Sequence, residues 1–357
     1  MKNILLKSGL CLALGMVASF SLSSCEDWTD VESLDIVNPS FEEKNPQLYA
    51  DYLKNLNAYK AGDHHVLFVS FDNVANPVKL GERLTALPDS LDYISLKNPT
   101  EVGAMLLEDI KEVRKKGTKI VYTISYSQFE SEWKTMLETN PALTAEEKQA
   151  YILKRAGEQL ALTDEYNYDG IILDYDGHSL TSLKDEALRN YIASQKAFFD
   201  VFAAWKAQHA DKLLAFYGNA QYIAADNMGF LKDCNYVIVK TALSTNESDL
   251  DLKIMLAQQA GEDAKEQYDG VNPVPLDNML ACVMMPKPDD KNKVFGYWGT
   301  VGATDKILAA EGAASWLWKP ATTYTRRGLF IMNVEGGYYT GNYSFLKKVI
   351  FTMNPNK

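Results

Sequence analysis

The feature that most restricts what this chain can fold into is a series of eight short apolar runs. They cover residues 66–71, 93–96, 119–124, 168–175, 213–218, 236–241, 279–285 and 328–334. Most are apolar at successive rather than alternate positions, the mark of strands covered on both faces. The segments between them carry helical spacing. In 46–60, Leu48, Tyr52, Leu53, Leu56 and Tyr59 fall on one stripe. Further helices are expected over 101–116, 129–139, 145–163, 184–209, 250–261, 305–312 and 343–353. Gly117 stops the first of these, and Thr144-x-x-Glu147 is a capping pattern.

Strands that alternate with helices pair in parallel. Eight of them predict an α/β fold, a single-domain (β/α)8 TIM barrel over residues 46–357. An open doubly wound sheet would want a glycine-rich turn after its first strand. Here that turn reads Phe71-Asp72-Asn73-Val74, with no glycine.

The first 45 residues read differently. Lys2 and Lys7 precede an apolar run from Leu10 to Phe20, too short to span a bilayer. Leu22-Ser23-Ser24-Cys25 then resembles the lipobox of bacterial lipoproteins. The expectation is a signal peptide over 1–24, lipid on Cys25, and an acidic tether over 25–45. Glu26, Asp27, Asp30 and Glu32 look like a surface-export signal, which places the chain on the outer membrane, exposed at the cell surface. With 36 basic against 47 acidic residues the net charge is −11, which argues against nucleic acid, since its binding needs phosphate neutralisation. Cys234 and Cys282 have no metal-ligand spacing, and four scattered histidines form no cluster, so no metal or cofactor is expected. Two buried thiols are the first reading of that pair, one disulfide the second.

In such a barrel the functional face is the carboxyl end of the strands. That rule selects Asp72, Asn73, Ser95, Ser125, Tyr126, Asp174, Asp176, Tyr217, Asn219, Lys240, Met285, Asn333 and Glu335. The fourth strand stands out. Asp174 and Asp176 lie two residues apart, and a period of two turns both toward the barrel axis. Lys240 can neutralise either carboxylate or bond a ligand. Loop aromatics, Trp298 among them, offer faces on which sugars stack.

Asp169-Gly170-Ile171-Ile172-Leu173-Asp174-Tyr175-Asp176 resembles the fourth-strand signature of family 18 glycoside hydrolases, D-G-hydrophobic-D-hydrophobic-D-x-E. The approaches to the first three strands look like the Bacteroides branch of that family. The resemblance implies a substrate-assisted reaction, in which the substrate's acetamido oxygen attacks the anomeric carbon. It assigns the acetamido-orienting carboxylate to Asp174 and the general acid to Asp176, where the family has Glu. The position of the supporting acid holds Ile172. A carboxyl one methylene short is displaced by about 1.5 Å, an error able to cost a hundredfold in rate. Without the supporting acid, the proton-sharing coupling that the family's three inward carboxylates provide is lost. The expected function is therefore binding of an oligosaccharide or glycoprotein glycan containing N-acetylglucosamine, with hydrolysis lost or weak. Asp72, Asn73, Tyr126, Tyr217, Asn219, Lys240, Trp298 and Asn333 are the candidate contacts. An active endo-β-N-acetylglucosaminidase is the second reading. The third is a non-catalytic partner of an outer-membrane glycan transporter.

Overall fold

A computed structural model of the chain describes residues 40–286, 290–299, 306–339 and 341–355. The chain divides into two compact units, one ending at Tyr49 and one running from Ala50 to Lys357. The expected signal peptide, Cys25 and most of the acidic tether lie outside the described residues. Residues Phe41–Lys44 form a helical turn, α1, because Ser40 and Glu43 satisfy each other's backbone N–H groups in a capping box.

The helices that follow are α2 (Pro46–Ala61), α3 (Ala104–Lys115), α4 (Tyr126–Thr139), α5 (Ala145–Glu165), α6 (Asp185–Gln208), α7 (Glu247–Ala264), α8 (Ala309–Trp316) and α9 (Ser344–Met353). The strands are β1 (Val66–Phe71), β2 (Tyr93–Leu96), β3 (Lys119–Ser125), β4 (Gly170–Tyr175), β5 (Leu213–Gly218), β6 (Tyr236–Val239), β7 (Met279–Met284), β8 (Tyr297–Trp298), β9 (Ile307–Leu308) and β10 (Arg326–Met332). β8 and β9 form a separate antiparallel pair. The other eight close a barrel in the order β1-β10-β7-β6-β5-β4-β3-β2, every neighbour parallel. The expected (β/α)8 barrel is the observed one.

Alternation along each strand builds two cores. Inward positions such as Phe68, Tyr93, Val121, Ile172, Ala215, Ile238, Cys282 and Phe330 fill the barrel. Outward positions such as Val69, Ile94, Tyr122, Leu173, Phe216, Val283 and Ile331 pack beneath the helices. Both sets leave water, which explains the unbroken apolar runs. The capping box expected at Thr144 and Glu147 starts α5. Cys234 and Cys282 are free and buried, so the pair forms no disulfide. Several boundaries shift by one to four residues, two of them for evident local reasons. Residues 307–308 belong to β9, so α8 runs from Ala309 to Trp316 rather than over 305–312. The last strand stops at Met332, because Asn333 turns left-handed at φ 62°.

Where the strands begin, His64 is buried with both ring nitrogens facing acceptors. Nδ1 is 2.9 Å from the Gly62 carbonyl and Nε2 is 2.9 Å from Asp92 Oδ1. Two accepting partners call for two ring protons. Burial pulls the imidazole down, but the bonds to Asp92 and Gly62 outweigh it, and the pKa lies above the ordinary 6.5. Tyr59, ring to ring at 4.6 Å, covers the pair, and Arg327 opposes the charge. A base with a raised folded pKa contributes stability that is complete below its unfolded value and is lost as pH climbs through the folded one. Urea unfolding should therefore show lower stability at pH 8.5 than at pH 6, and His64→Gln should shrink that difference. An unchanged difference in the variant would remove His64 as its source.

Candidate functional site

β4 supplies the first carboxylate. Ile171, Leu173 and Tyr175 point into the outer core, so Ile172 and Asp174 face the axis. Ile172 is fully buried among Val121, Ala215, Tyr217 and Ile238. Register sets Asp174 between Ser125 of β3 and Tyr217 of β5. Ser125 Oγ donates to Asp174 Oδ2 at 3.3 Å. Asp176 follows the strand with its side chain half exposed. Its backbone carbonyl accepts from Asn219 Nδ2 at 3.3 Å. Gly177 comes next at φ +64°, where an added Cβ would meet Tyr175 Cε1 at 2.6 Å and Tyr222 Cβ at 2.8 Å. Glycine is needed there to turn the chain over the buried tyrosine.

β6 supplies the cation. Tyr236, Ile238 and Lys240 alternate inward. Thr241 then clamps the chain to β7: its hydroxyl donates to the Cys282 carbonyl and accepts from the Cys282 N–H, both at 2.7 Å. Held there, Lys240 Nζ contacts Oδ1 of Asp174 and Oδ1 of Asp176 together. It also lies 4.5 Å from the centre of the Tyr217 ring, a cation–π distance. Burial raises the Asp174 pKa above 3.8. Lys240 and the Ser125 bond pull it back in part, and Asp176 adds to the rise. The phenol of Tyr217 is raised as well, by burial first and then by Cys282. A cavity of about 420 Å³ opens beside this cluster, walled by Ala242, Leu243, Ser244, Asp249, Leu252 and Lys253.

The structure thus gathers Asp174, Asp176, Tyr217, Asn219 and Lys240, and places the other candidates elsewhere. Asn73 is fully buried and braces two loops. Its Oδ1 accepts from Asn98 N–H at 2.9 Å, and its Nδ2 donates to the carbonyls of Asn98 and Glu101. Asp72 is exposed and accepts from Asn98 Nδ2 at 3.0 Å. Tyr126 is corrected from the barrel mouth to the outer core. α4 starts directly on β3, and its first turn swings the ring between Tyr175 and Phe198 at 5.1 and 4.7 Å. Trp298 is likewise corrected. Its indole is buried against α8, where a Cβ on Gly312 would come within 2.3 Å of it, and it borders a separate cavity beside Thr245 and Ile307. Asn333 donates its backbone N–H to Ser70 Oγ at 2.9 Å. Thr241 escaped sequence reasoning. A lone threonine after a strand carries no signal until β7 lies beside it.

The family description "Glycoside hydrolase family 18, BT1044-like" matches residues 29–351. The chain belongs to glycoside hydrolase family 18. Among solved structures it is similar to BT1044, in a selenomethionine form with one glutamate replaced by glutamine. That pair has 16% identity, covers 89% of this chain and 96% of the other, and superposes with a TM-score of 0.61. It is also similar to a family 18 chitinase from Pseudoalteromonas aurantia, at 11% identity, with 80% and 99% coverage and a TM-score of 0.49. Human YKL-39, described as a pseudo-chitinase with retained chitooligosaccharide binding, matches at 11% identity, with 81% and 98% coverage and a TM-score of 0.44. No curated protein matches the sequence. In the segment that resembles the family 18 signature, Ile172 is packed inside the barrel and Asp176 is tied to Lys240.

Proposed function

We propose that this family 18 barrel binds glycans containing N-acetylglucosamine and does so with hydrolysis lost or weak, held at the cell surface by lipid on Cys25. The observation that carries the reading is the contact of Lys240 with both Asp174 and Asp176. A general acid must present its proton to the leaving oxygen within hydrogen-bond reach. Asp176 is short by a methylene, and the oxygen that would do so is turned to an ammonium. Ile172 removes the neighbour through which a second acid would share its proton. What remains suits recognition. Carboxylate, ammonium and phenol groups with fixed geometry border a cavity open enough for a sugar, and such groups orient hydroxyl and acetamido substituents. The retained Asp174, with its pKa raised by burial, is the feature that favours the second reading, an active endo-β-N-acetylglucosaminidase.

Incubation with a high-mannose glycoprotein, followed by mass spectrometry of released sugars, separates the two. The expected result is no release, together with calorimetric binding of the free oligosaccharide that Asp176→Ala weakens about tenfold, the worth of one charge-assisted hydrogen bond. Release that disappears in Asp176→Ala would establish the enzyme instead. Neither release nor binding would leave the partner role in a glycan uptake complex.

A further inference from the structure

The opposite end of the barrel, where the strands begin, holds a further cavity of about 330 Å³. Its lining includes Asn57, Lys60, His64, Asp92, Tyr93 and Lys119. The charges around it do not balance. His64 and Asp92 pair with each other, and the remaining Asp92 oxygen accepts the Leu67 N–H at 2.8 Å. Two nearby cations are also matched: Lys116 with Asp89 at 2.7 Å and Arg327 with Asp63 at 2.8 Å. Lys60 and Lys119 are not. Lys60 Nζ donates to the Leu91 carbonyl at 2.6 Å and to Thr118 Oγ1 at 2.7 Å, both neutral. An ammonium has three donors, so one is left. Lys119 Nζ lies 5.6 Å from the centre of the Tyr93 ring. Among the described residues no carboxylate stands within ion-pair reach of either lysine.

Buried charges are ordinarily paired, because desolvating an ion without a counter-charge is costly. The cost registers on Lys60, which burial pulls down to about 8 despite Asp92 and Asp89. Lys60 is thus a part-buried ammonium with no ion-pair partner, and the exposed Lys119 borders the same concavity; on a chain of net charge −11 the two are a local excess that a bound anion would offset. We propose that this cavity is a binding site for a tetrahedral oxyanion, phosphate or sulfate, held between Lys60 and Lys119. Gly117 helps shape it. At φ +76° it sits where a Cβ would meet Asn57 Oδ1 at 2.6 Å and Lys60 Cδ at 3.3 Å, so the lysine stem lies against the chain entering β3. The site is at the other end of the strands from the Asp174 cluster and does not rest on the glycan reading.

Calorimetric titration of the whole protein with inorganic phosphate, sulfate and glycerol 3-phosphate, each against chloride at matched ionic strength, tests the proposal. Saturable binding of the oxyanions over chloride is expected. In Lys119→Gln it should weaken at least about tenfold, the worth of one charge-assisted hydrogen bond. Tighter binding of glycerol 3-phosphate than of phosphate identifies a lipid headgroup as the source, and the reverse order a free ion. Lys119 is exposed at the start of its strand, so its variant keeps the fold, and Lys60→Gln is the second arm. Binding no stronger than that of chloride, or undiminished in Lys119→Gln, would overturn the proposal.

Discussion

Lys240→Met should destabilise the barrel by about 2–3 kcal/mol at neutral pH, below the full cost of breaking a buried ion pair because Asp174 keeps some contact with water. The substitution preserves the apolar stem over Tyr217 and removes only the charge. Asp174 is left with Asp176 as its nearest charged neighbour. Its pKa, already above 3.8 through burial, loses the first of the two influences that restrain it. An acid with a raised folded pKa binds its proton more tightly in the folded state than in the unfolded state. Its contribution is therefore complete below 3.8 and is lost as pH rises through the folded value. The deficit of Lys240→Met should be small near pH 4 and larger at pH 8. Denaturant unfolding at both pH values measures it, with a constant slope as the check that only stability has changed. Adding Asp174→Asn should return most of the loss. A deficit independent of pH would mean that Lys240 acts through packing and not through the carboxylates.

The second large effect is expected far from the mouth, in Arg326→Met. Arg326 opens β10 and is buried. Its guanidinium lies 4.4 Å from the centre of the Trp316 ring. One terminal nitrogen donates to the carbonyls of Trp316 and Lys319 at 2.8 Å each, and the other donates to Asp251 Oδ1 at 2.8 Å. One planar fork thus ties the last barrel strand to the end of α8 and to α7. Methionine fills much of the volume but leaves two carbonyls and a carboxylate oxygen without this donor. The cost should be about 3 kcal/mol, at the lower end for a broken buried pair because Asp251 is one-third exposed. Arg326→Lys should recover only part of it, since an ammonium cannot reproduce the fork. A loss below about 1 kcal/mol in the methionine variant, by the same unfolding measurement, would mean that α8 is held by its apolar face alone.

Both effects depend on residues whose partners come from distant segments, and that separates what was legible in the chain from what was not. The eight strands could be read because each is buried twice, and double burial leaves an apolar run that needs no knowledge of neighbours. The inward direction of Ile172, Asp174 and Asp176 could be read too, since alternation is local to one strand. Lys240 was legible as a cation near the carboxylates. That it engages both at once depends on the register of β4 against β5 and of β5 against β6, which no single segment carries. Tyr126 and Asn73 misled for the same reason. Each follows an inward-facing stretch by one or two residues, and whether a residue there faces the mouth or the core depends on how the next segment departs. α4 leaves without a loop and takes Tyr126 with it, while Asn73 is recruited by the Asn98 backbone. The β8–β9 pair, which buries Trp298, gave no sign in strands two residues long.

The barrel and the resemblance of residues 169–176 to the family 18 signature could be read from the chain alone, because they are properties of composition and of spacing along single strands. It took the folded barrel to show that a lysine bridges the two aspartates, that Asn73, Tyr126 and Trp298 are buried in structural roles, and that Lys60 and Lys119 line one cavity at the far end. Each of these is a relation between side chains on different strands or helices, and its energy depends on distance and burial, which come into being only when the barrel closes.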